Sequence, residues 1–365
     1  MSNTVFILGA GASCGYGLPL ISSFFKKSKE LYVKTKENEY KYNYEKVRQA
    51  IGYLQNVNSK AYINIYNIEE VLSAFEMGRI INKLPGISNK EETEQIINSF
   101  KRLIYETLDK STVIRIPSRS EPPDACHLHK RLIEFIDRQN KNNINSCSII
   151  TFNYDLLLDY ALYRQKLKVN YCLDEVNKDN ANQIKLMKLH GSLNWFTQKD
   201  NRNEVVPVYL EDIFKDIKYY FNSGGEEKIF FIDPIKWLSE KDNKYNGKSM
   251  ILDPILVPPT FNKMEYNKNI LNVWKQASIE LTEAENILIC GYPHTEADNF
   301  FKYLFALSIS GNSVIEKIQV FDPDPEIDEK FKKIIGETLV KEGIYKFNET
   351  YFQSFVEDLQ NILER

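Results

Sequence analysis

The strongest constraint on the fold is a recurring unit: a short apolar, β-branched run that ends in glycine or polar residues and gives way to a helical pattern. Val5 to Leu8 runs into Gly9-Ala10-Gly11-Ala12-Ser13, and Ser148-Ile149-Ile150-Thr151 runs into Phe152-Asn153-Tyr154-Asp155. Ile184 to Leu189 ends in His190-Gly191-Ser192, Ile287-Leu288-Ile289 meets Cys290-Gly291-Tyr292, and Ile318 to Phe321 ends in Asp322-Pro323-Asp324. Short buried runs alternating with helices predict an α/β fold with a largely parallel, Rossmann-like sheet. In an open sheet of that kind the ligand crevice lies beyond the carboxyl ends of the strands, so the polar groups at these ends are the first candidates for a site.

Each candidate has a plainer reading beside the functional one. Asn153 and Asp155 stand where a strand delivers side chains to a site, but they also stand where a helix over Tyr154 to Gln165 would want a cap and an acidic first turn. The glycine-rich stretch, followed by Gly15, Gly17-Leu18-Pro19 and the apolar spacing Leu20, Phe24, Leu31, reads as strand, turn and helix. Glycines allow the backbone close to a pyrophosphate and a helix start offers unpaired N–H groups, yet the same residues make a tight connection of no further purpose. The dinucleotide pattern G-x-G-x-x-G fails, with Cys14 in place of the third glycine, and a phosphate loop ending in G-K-[ST] is absent. His190 is either a general base, because imidazole exchanges protons near neutrality, or a hydrogen-bonded structural histidine.

The 365 residues, 43% hydrophobic and 27% charged, suit one large domain with insertions or two domains. A formal net charge of −3 provides no global basic field for nucleic acid. Neither a leader nor a membrane-spanning run is evident, so a cytoplasmic protein with no membrane partner is expected. Cys14, Cys126, Cys147, Cys172 and Cys290 have no C-x-x-C spacing, which argues against a zinc ribbon and a disulfide framework and for mostly buried free thiols. Between the first two strands lies a mostly helical stretch. Asn67 caps a helix with Glu70 at its third position, and Ile96, Ile97, Phe100, Leu103, Ile104 and Leu108 form a packing stripe. Pro117, Pro122 and Pro123 mark a loop, and His127 and His129 read as ordinary surface or loop histidines. The aromatic stretch Thr197 to Met250 reads as a second insertion. Helical patterns cover Asn267 to Ala284, a segment from Glu296 onward, and Phe352 to Leu363.

Several segments together resemble the sirtuins. Gly9-Ala10-Gly11-Ala12-Ser13 with Gly17-Leu18-Pro19 is similar to the sirtuin G-A-G-x-S loop and its later G-[IL]-P, Asn153-x-Asp155 to N-x-D, and His190-Gly191 to the catalytic histidine and glycine. The likeness is closer to sirtuin-like NAD hydrolases of bacterial antiviral defence, whose T-F-N-Y-D, L-H-G-S, V-P-P-T and G-Y segments match Thr151–Asp155, Leu189–Ser192, Val257–Thr260 and Gly291–Tyr292. Deacylating sirtuins carry two C-x-x-C pairs on a zinc module, whereas here no cysteine follows His190-Gly191 until Cys290.

The resemblance implies a sirtuin-like core over 1–20, 125–196 and 251–365, a helical insertion over 21–124 in place of the zinc module, and a second insertion over 197–250. It implies NAD as substrate, cleaved to nicotinamide and ADP-ribose, with no metal, and depletion of NAD in abortive infection. Asn153, Asp155 and His190 would be catalytic; Gly9, Ala10, Gly11, Ala12, Ser13, Pro19, Thr151, Gly191, Ser192, Gly291, Tyr292 and Asp322 would bind NAD. Control would come through a homo-oligomer or a separate defence partner such as an ATPase or nucleic-acid-sensing subunit. The alternatives are a protein deacylase or ADP-ribosyltransferase, and an NAD or ADP-ribose sensor without turnover.

Overall fold

The computed structural model describes residues 2–55, 61–87, 89–112, 127–174, 183–216, 232–257, 268–293, 299–311 and 314–364. The first strand, β1 (Ser2–Leu8), is followed by three 3-10 turns (Ala10–Ala12, Cys14–Tyr16 and Ile21–Ser23). Four helices come next: α1 (Phe24–Lys34), α2 (Asn38–Gln55), α3 (Ile68–Ile80) and α4 (Lys90–Ser111). The chain continues through α5 (His127–Lys141), β2 (Asn145–Thr151), α6 (Leu157–Arg164), β3 (Lys168–Asn170) and β4 (Gln183–Lys188). Next come β5 (Trp195–Gln198), β6 (Val205–Pro207), α7 (Leu210–Asp216), α8 (Pro234–Ser239), β7 (Lys244–Tyr245) and β8 (Lys248–Ile251). The last third is α9 (Lys268–Glu283), β9 (Asn286–Cys290), α10 (Asn299–Ser310), β10 (Lys317–Asp322), α11 (Glu326–Ile335), α12 (Glu337–Lys341), β11 (Tyr345–Glu349), α13 (Phe352–Glu357) and α14 (Leu359–Glu364).

Seven strands form one sheet in the order β11-β10-β9-β1-β2-β4-β3, all neighbours parallel. The predicted α/β class with a Rossmann-like parallel sheet is what the chain adopts. Its strands are near-continuous apolar runs because helices cover both faces; β9, for example, is buried at all five positions. From β1 the chain builds first toward β2, β4 and β3, then returns on the other side to β9, β10 and β11. This reversal is the switch point at which open α/β sheets form their ligand crevice. Register sets the crevice floor: Leu8 lies beside Thr151 and Cys290, Thr151 beside Lys188, and Cys290 beside Phe321. The loops that follow therefore leave the sheet at one level.

A second, four-stranded sheet has the order β6-β5-β8-β7, with antiparallel neighbours. Two apolar cores result. One lines the parallel sheet. The other joins Phe24, Val47, Phe75 and Phe100 of the N-terminal helices to Phe196, Phe214, Trp237 and Met250, so these two stretches share a single interior although the central strands separate them in sequence.

Local structure departs from expectation in four places. No helix follows the glycine-rich turn directly: 3-10 turns occupy Ala10 to Tyr16, and the first α-helix begins at Phe24. The helix expected from Tyr154 begins at Leu157, and the closing pattern Phe352 to Leu363 breaks at Asp358 into two helices. His129 is 1% exposed on α5, where it shares the inward face with Leu132, Ile133 and Ile136, so it is neither surface nor loop. Cys147, Cys172 and Cys290 are buried thiols, whereas Cys14 is exposed. Pro117, Pro122, Pro123, Cys126, Pro258, Pro259, Thr260 and the helix start at Glu296 lie outside the described residues. Among the described residues no helix is long and apolar enough to cross a membrane.

A candidate active site at the sheet switch point

Asn153, Asp155 and His190 meet at one pocket, whose wall also includes Ala10, Ser13, Pro19 and Tyr292. It is partly open to solvent. Its far wall is apolar and comes from the N-terminal helices: Phe24, Ile68, Leu72, Ile104 and Leu108, together with the carboxylate of Glu69. The strand-end loops thus supply the polar half and the N-terminal helices most of the apolar half.

Asn153 does not cap a helix. Its side-chain nitrogen donates to the Gly9 carbonyl at 2.8 Å and the Ser13 hydroxyl at 3.0 Å, leaving the amide oxygen as the group available to a ligand. Asp155 is the residue that serves the helix start, accepting from the Leu157 N–H at 3.0 Å. It also hydrogen-bonds Ser13, so one hydroxyl from the β1 loop ties together both polar residues of the β2 loop. Burial pushes the Asp155 carboxyl above the usual range, and the nearby Lys188 ammonium, the Leu157 N–H and the Ser13 hydroxyl oppose that push.

His190 is 2% exposed, with its ring 5.2 Å from that of Phe152 and 6.1 Å from that of Tyr154. The turn that carries it is held by residues 255–257, which follow β8. Val257 N–H donates to the His190 carbonyl at 2.8 Å, Ser192 N–H donates to Ile255 O at 3.0 Å, and Tyr154 OH donates to Val257 O at 3.0 Å. Gly191 is required here: its φ is +89°, and a Cβ would stand 2.0 Å from Ile255 O. Phe152 and Tyr292 stack with centroids 4.1 Å apart and form an aromatic floor.

The remaining candidates do not face this pocket. Thr151 is buried, donating to Leu8 O at 2.9 Å and accepting from the Asn153 N–H at 3.1 Å, so it braces the strand ends. Gly9 and Gly11 face the β9 loop: added Cβ atoms would come within 2.4 and 2.7 Å of Gly291, and one on Gly291, at φ +63°, within 2.6 Å of Ala12 N. The N–H groups of Gly9, Gly11, Ala12 and Ser13 all have backbone acceptors, at Cys290, Gly291, Gly9 and Ala10. The Gly9–Ser13 backbone is thus a locked connection, with the Ala10 N–H the one outside these internal bonds. Asp322, at the end of β10, is buried beside Cys14 and Cys290, and burial raises its carboxyl despite the Asp324 N–H. It lies on the opposite flank of the glycine loop from Asn153.

Sequence reasoning missed a buried network beneath the site. Lys188, 1% exposed, donates to Asp155 O at 2.6 Å and to the Asp159 carboxylate at 2.9 Å. Tyr171 OH donates to the other Asp159 oxygen at 2.5 Å and accepts from Asn194 at 3.2 Å; Ser192 donates to Asn194 at 2.7 Å. Ser192 therefore supports the His190 turn from below, with no exposed surface. Lys185 and Lys188 stand three apart in β4 and so point to opposite faces, and the sequence does not reveal which lysine is buried. Among the described residues no group of three or more His, Cys, Asp or Glu side chains is placed to hold a metal ion.

Residues 147–223 match the family model of the SIR2-like domain, a span that includes Asn153, Asp155 and His190. No curated protein sequence matches the chain. Solved structures that align with 99% of it include a Sir2–p53 peptide–NAD+ complex (12% identity, 93% of that chain, TM-score 0.37). Others are Sir2 with the inhibitor EX-527, 2′-O-acetyl-ADP-ribose and deacetylated p53 peptide (12%, 94%, 0.39), and Sir2Tm bound to a propionylated peptide (14%, 92%, 0.37).

Proposed function

We propose that this chain is an NAD glycohydrolase that cleaves the nicotinamide–ribose bond to give nicotinamide and ADP-ribose. The observation that carries the reading is the convergence of Ser13, Asn153, Asp155 and His190, from three strand ends, on one pocket at the sheet switch point. The SIR2-like match over 147–223 adds support.

Breaking the N-glycosidic bond builds positive charge on the ribose, and fixed dipoles and carboxylates stabilise such charge best where water is scarce. Asn153, its nitrogen committed to Gly9 and Ser13, presents its amide oxygen to the ribose and the attacking water. Asp155 accepts from the nicotinamide carboxamide. His190 takes the proton of the attacking water. The apolar wall from α1, α3 and α4 lowers the local dielectric and strengthens each of these interactions. Ala10 and the Gly9–Ser13 loop, Pro19, Thr151, Gly191, Ser192, Gly291 and Tyr292 shape the NAD site, and Asp322 receives the adenosine ribose; of these the Ala10 N–H is the donor best placed to meet phosphate. The domain boundaries follow the same reading, with a core over 1–20, 125–196 and 251–365 and insertions over 21–124 and 197–250.

The proposed role is depletion of cytoplasmic NAD in antiphage defence, with activity held back until a homo-oligomer or a partner subunit forms. Purified protein incubated with NAD at concentrations that span its oligomeric states, without and with an acetylated peptide, should release nicotinamide and ADP-ribose in the assembled state with no dependence on the peptide. Release only with the peptide, with acetyl-ADP-ribose as product, would replace hydrolysis by deacylation. Binding of NAD without turnover in any oligomeric state would make the chain a sensor.

A further inference from the structure

Lys188 is a buried cation that nothing in the proposed chemistry uses. It ends β4, two residues before His190, and its ammonium reaches across the sheet to the turn after β2. There it binds the main-chain oxygen of Asp155 and the carboxylate of Asp159, which is itself 1% exposed in its side chain. A lone buried ammonium is costly, and one that is paired and hydrogen-bonded fixes geometry more than it adds stability. Through Asp159, Tyr171, Asn194 and Ser192 the same hydrogen bonds run back to the His190 turn, so a closed ring joins the two loops that carry Asn153, Asp155 and His190.

We propose that Lys188 is a positioning residue: its bonds to Asp155 O and to the Asp159 carboxylate lock the Asp155 turn against the His190 turn. The inference rests on the NAD-cleaving reading for its consequence but not for its test. Asp155 is faced by Lys188 from β4, Asp159 from α6 and Ser13 from the β1 loop, with Glu69 of α3 and His190 on the same pocket. Burial raises its carboxyl most; Lys188 opposes this more strongly than Asp159 adds to it. Removing both charges should therefore raise Asp155 further.

Lys188→Met alone strands Asp159 in the interior and is expected to destabilise the fold. The informative variant is Lys188→Met/Asp159→Asn, in which the new amide still accepts from Tyr171. Two readouts apply to it and to the wild type. The first needs no ligand: the Asp155 titration followed by carbon NMR of carboxyl-labelled aspartate, the resonance identified by its loss in Asp155→Asn. The second is the pH dependence of kcat and kcat/KM for nicotinamide release. In the folded double variant the Asp155 midpoint should rise, and the acid limb of the rate profile should move with it. An Asp155 midpoint unchanged in the folded double variant overturns the inference, as does a shifted midpoint with an unchanged rate profile. Absence of nicotinamide release from the wild type would instead remove the proposed function, and the NMR midpoint would then decide the role of Lys188 by itself.

Discussion

The Ser13 hydroxyl lies 3.0 Å from the Asn153 side-chain nitrogen and also bonds the Asp155 carboxylate, so a residue from the first strand's loop sets the positions of two from the second. Asn153→Ala should lower NAD cleavage by about 10²–10³-fold, the scale of one well-placed dipole. Ser13→Ala should cost about 10-fold, because it acts through its neighbours. Both changes leave the apolar cores intact, so unfolding free energies from urea titration should change by less than about 1–2 kcal/mol. Chromatography of released nicotinamide and urea titration check the two halves; wild-type turnover in Asn153→Ala would remove that residue from the mechanism.

The interlocked glycines predict a sharp contrast between neighbours. Gly11→Ala and Gly291→Ala push a Cβ into backbone at 2.7 and 2.6 Å, and Gly291 also has positive φ. Each should cost about 3 kcal/mol or more, or prevent soluble expression. Gly15→Ala, with nothing within 4 Å of the new Cβ, should stay within about 0.5 kcal/mol of the parent. Equal stabilities for Gly11→Ala and Gly15→Ala would mean that the β1 and β9 loops do not touch as described.

His129 gives the fold an acid sensitivity. Burial between Tyr16 and Phe352 drives its imidazole down to about 3. Because the folded state binds the proton more weakly than the unfolded chain, stability is complete above pH ~6.5 and declines by about 1.4 kcal/mol per unit from there toward pH 3. His129→Leu should remove that part of the slope. Denaturant titrations of both proteins between pH 7 and 4.5 test it, and parallel stability curves would refute the assignment.

Asp109 has the opposite sign. Burial and the facing Asp233 raise its carboxyl to about 7, so the folded state favours the protonated form. The associated stability is full below pH ~3.9 and is lost as pH rises through 7. Asp109→Asn keeps an acceptor for the Asp233 N–H, now 3.1 Å from Asp109. It should therefore stabilise the protein at pH 8 by about 1–4 kcal/mol and not at pH 4. No gain at pH 8 in thermal or urea unfolding would count against a buried, repelled carboxyl.

Local signals carried the parts of the fold that depend on local chemistry. The apolar runs at Val5, Ile149, Ile184, Ile287 and Ile318 became neighbouring parallel strands, and Asn67 caps α3 by accepting from Glu69 and Glu70. The Glu70 carboxylate, however, turns to the Asn64 N–H at 2.9 Å instead of closing the reciprocal box at the Asn67 N–H. The position of His129 was legible as well, since it lies four residues before Ile133 on the inward stripe of α5. Pairings set only by the fold were not. Lys188 meets Asp159 from a separate element, and the glycines of the first loop find their partner at Gly291, near the other end of the chain. Glu69 reads as a helix-start acid, and only the packing of α3 over the core puts it on the pocket wall.

The interior shared by the N-terminal helices and the second sheet imposes an order on synthesis. Tyr105 of α4 bonds Asp233 and Ile235, and Phe100 belongs to the same core as Phe196, Trp237 and Met250. A ribosome adding roughly 5–20 residues per second needs on the order of 5–20 s to pass from α4 to the strands and helix that cover this flank. For that interval the nascent helices carry an uncovered apolar side, and the pocket has its roof before it has a floor. Chaperone demand, and the yield of active protein, should therefore be governed by the rate of translation through the central strands.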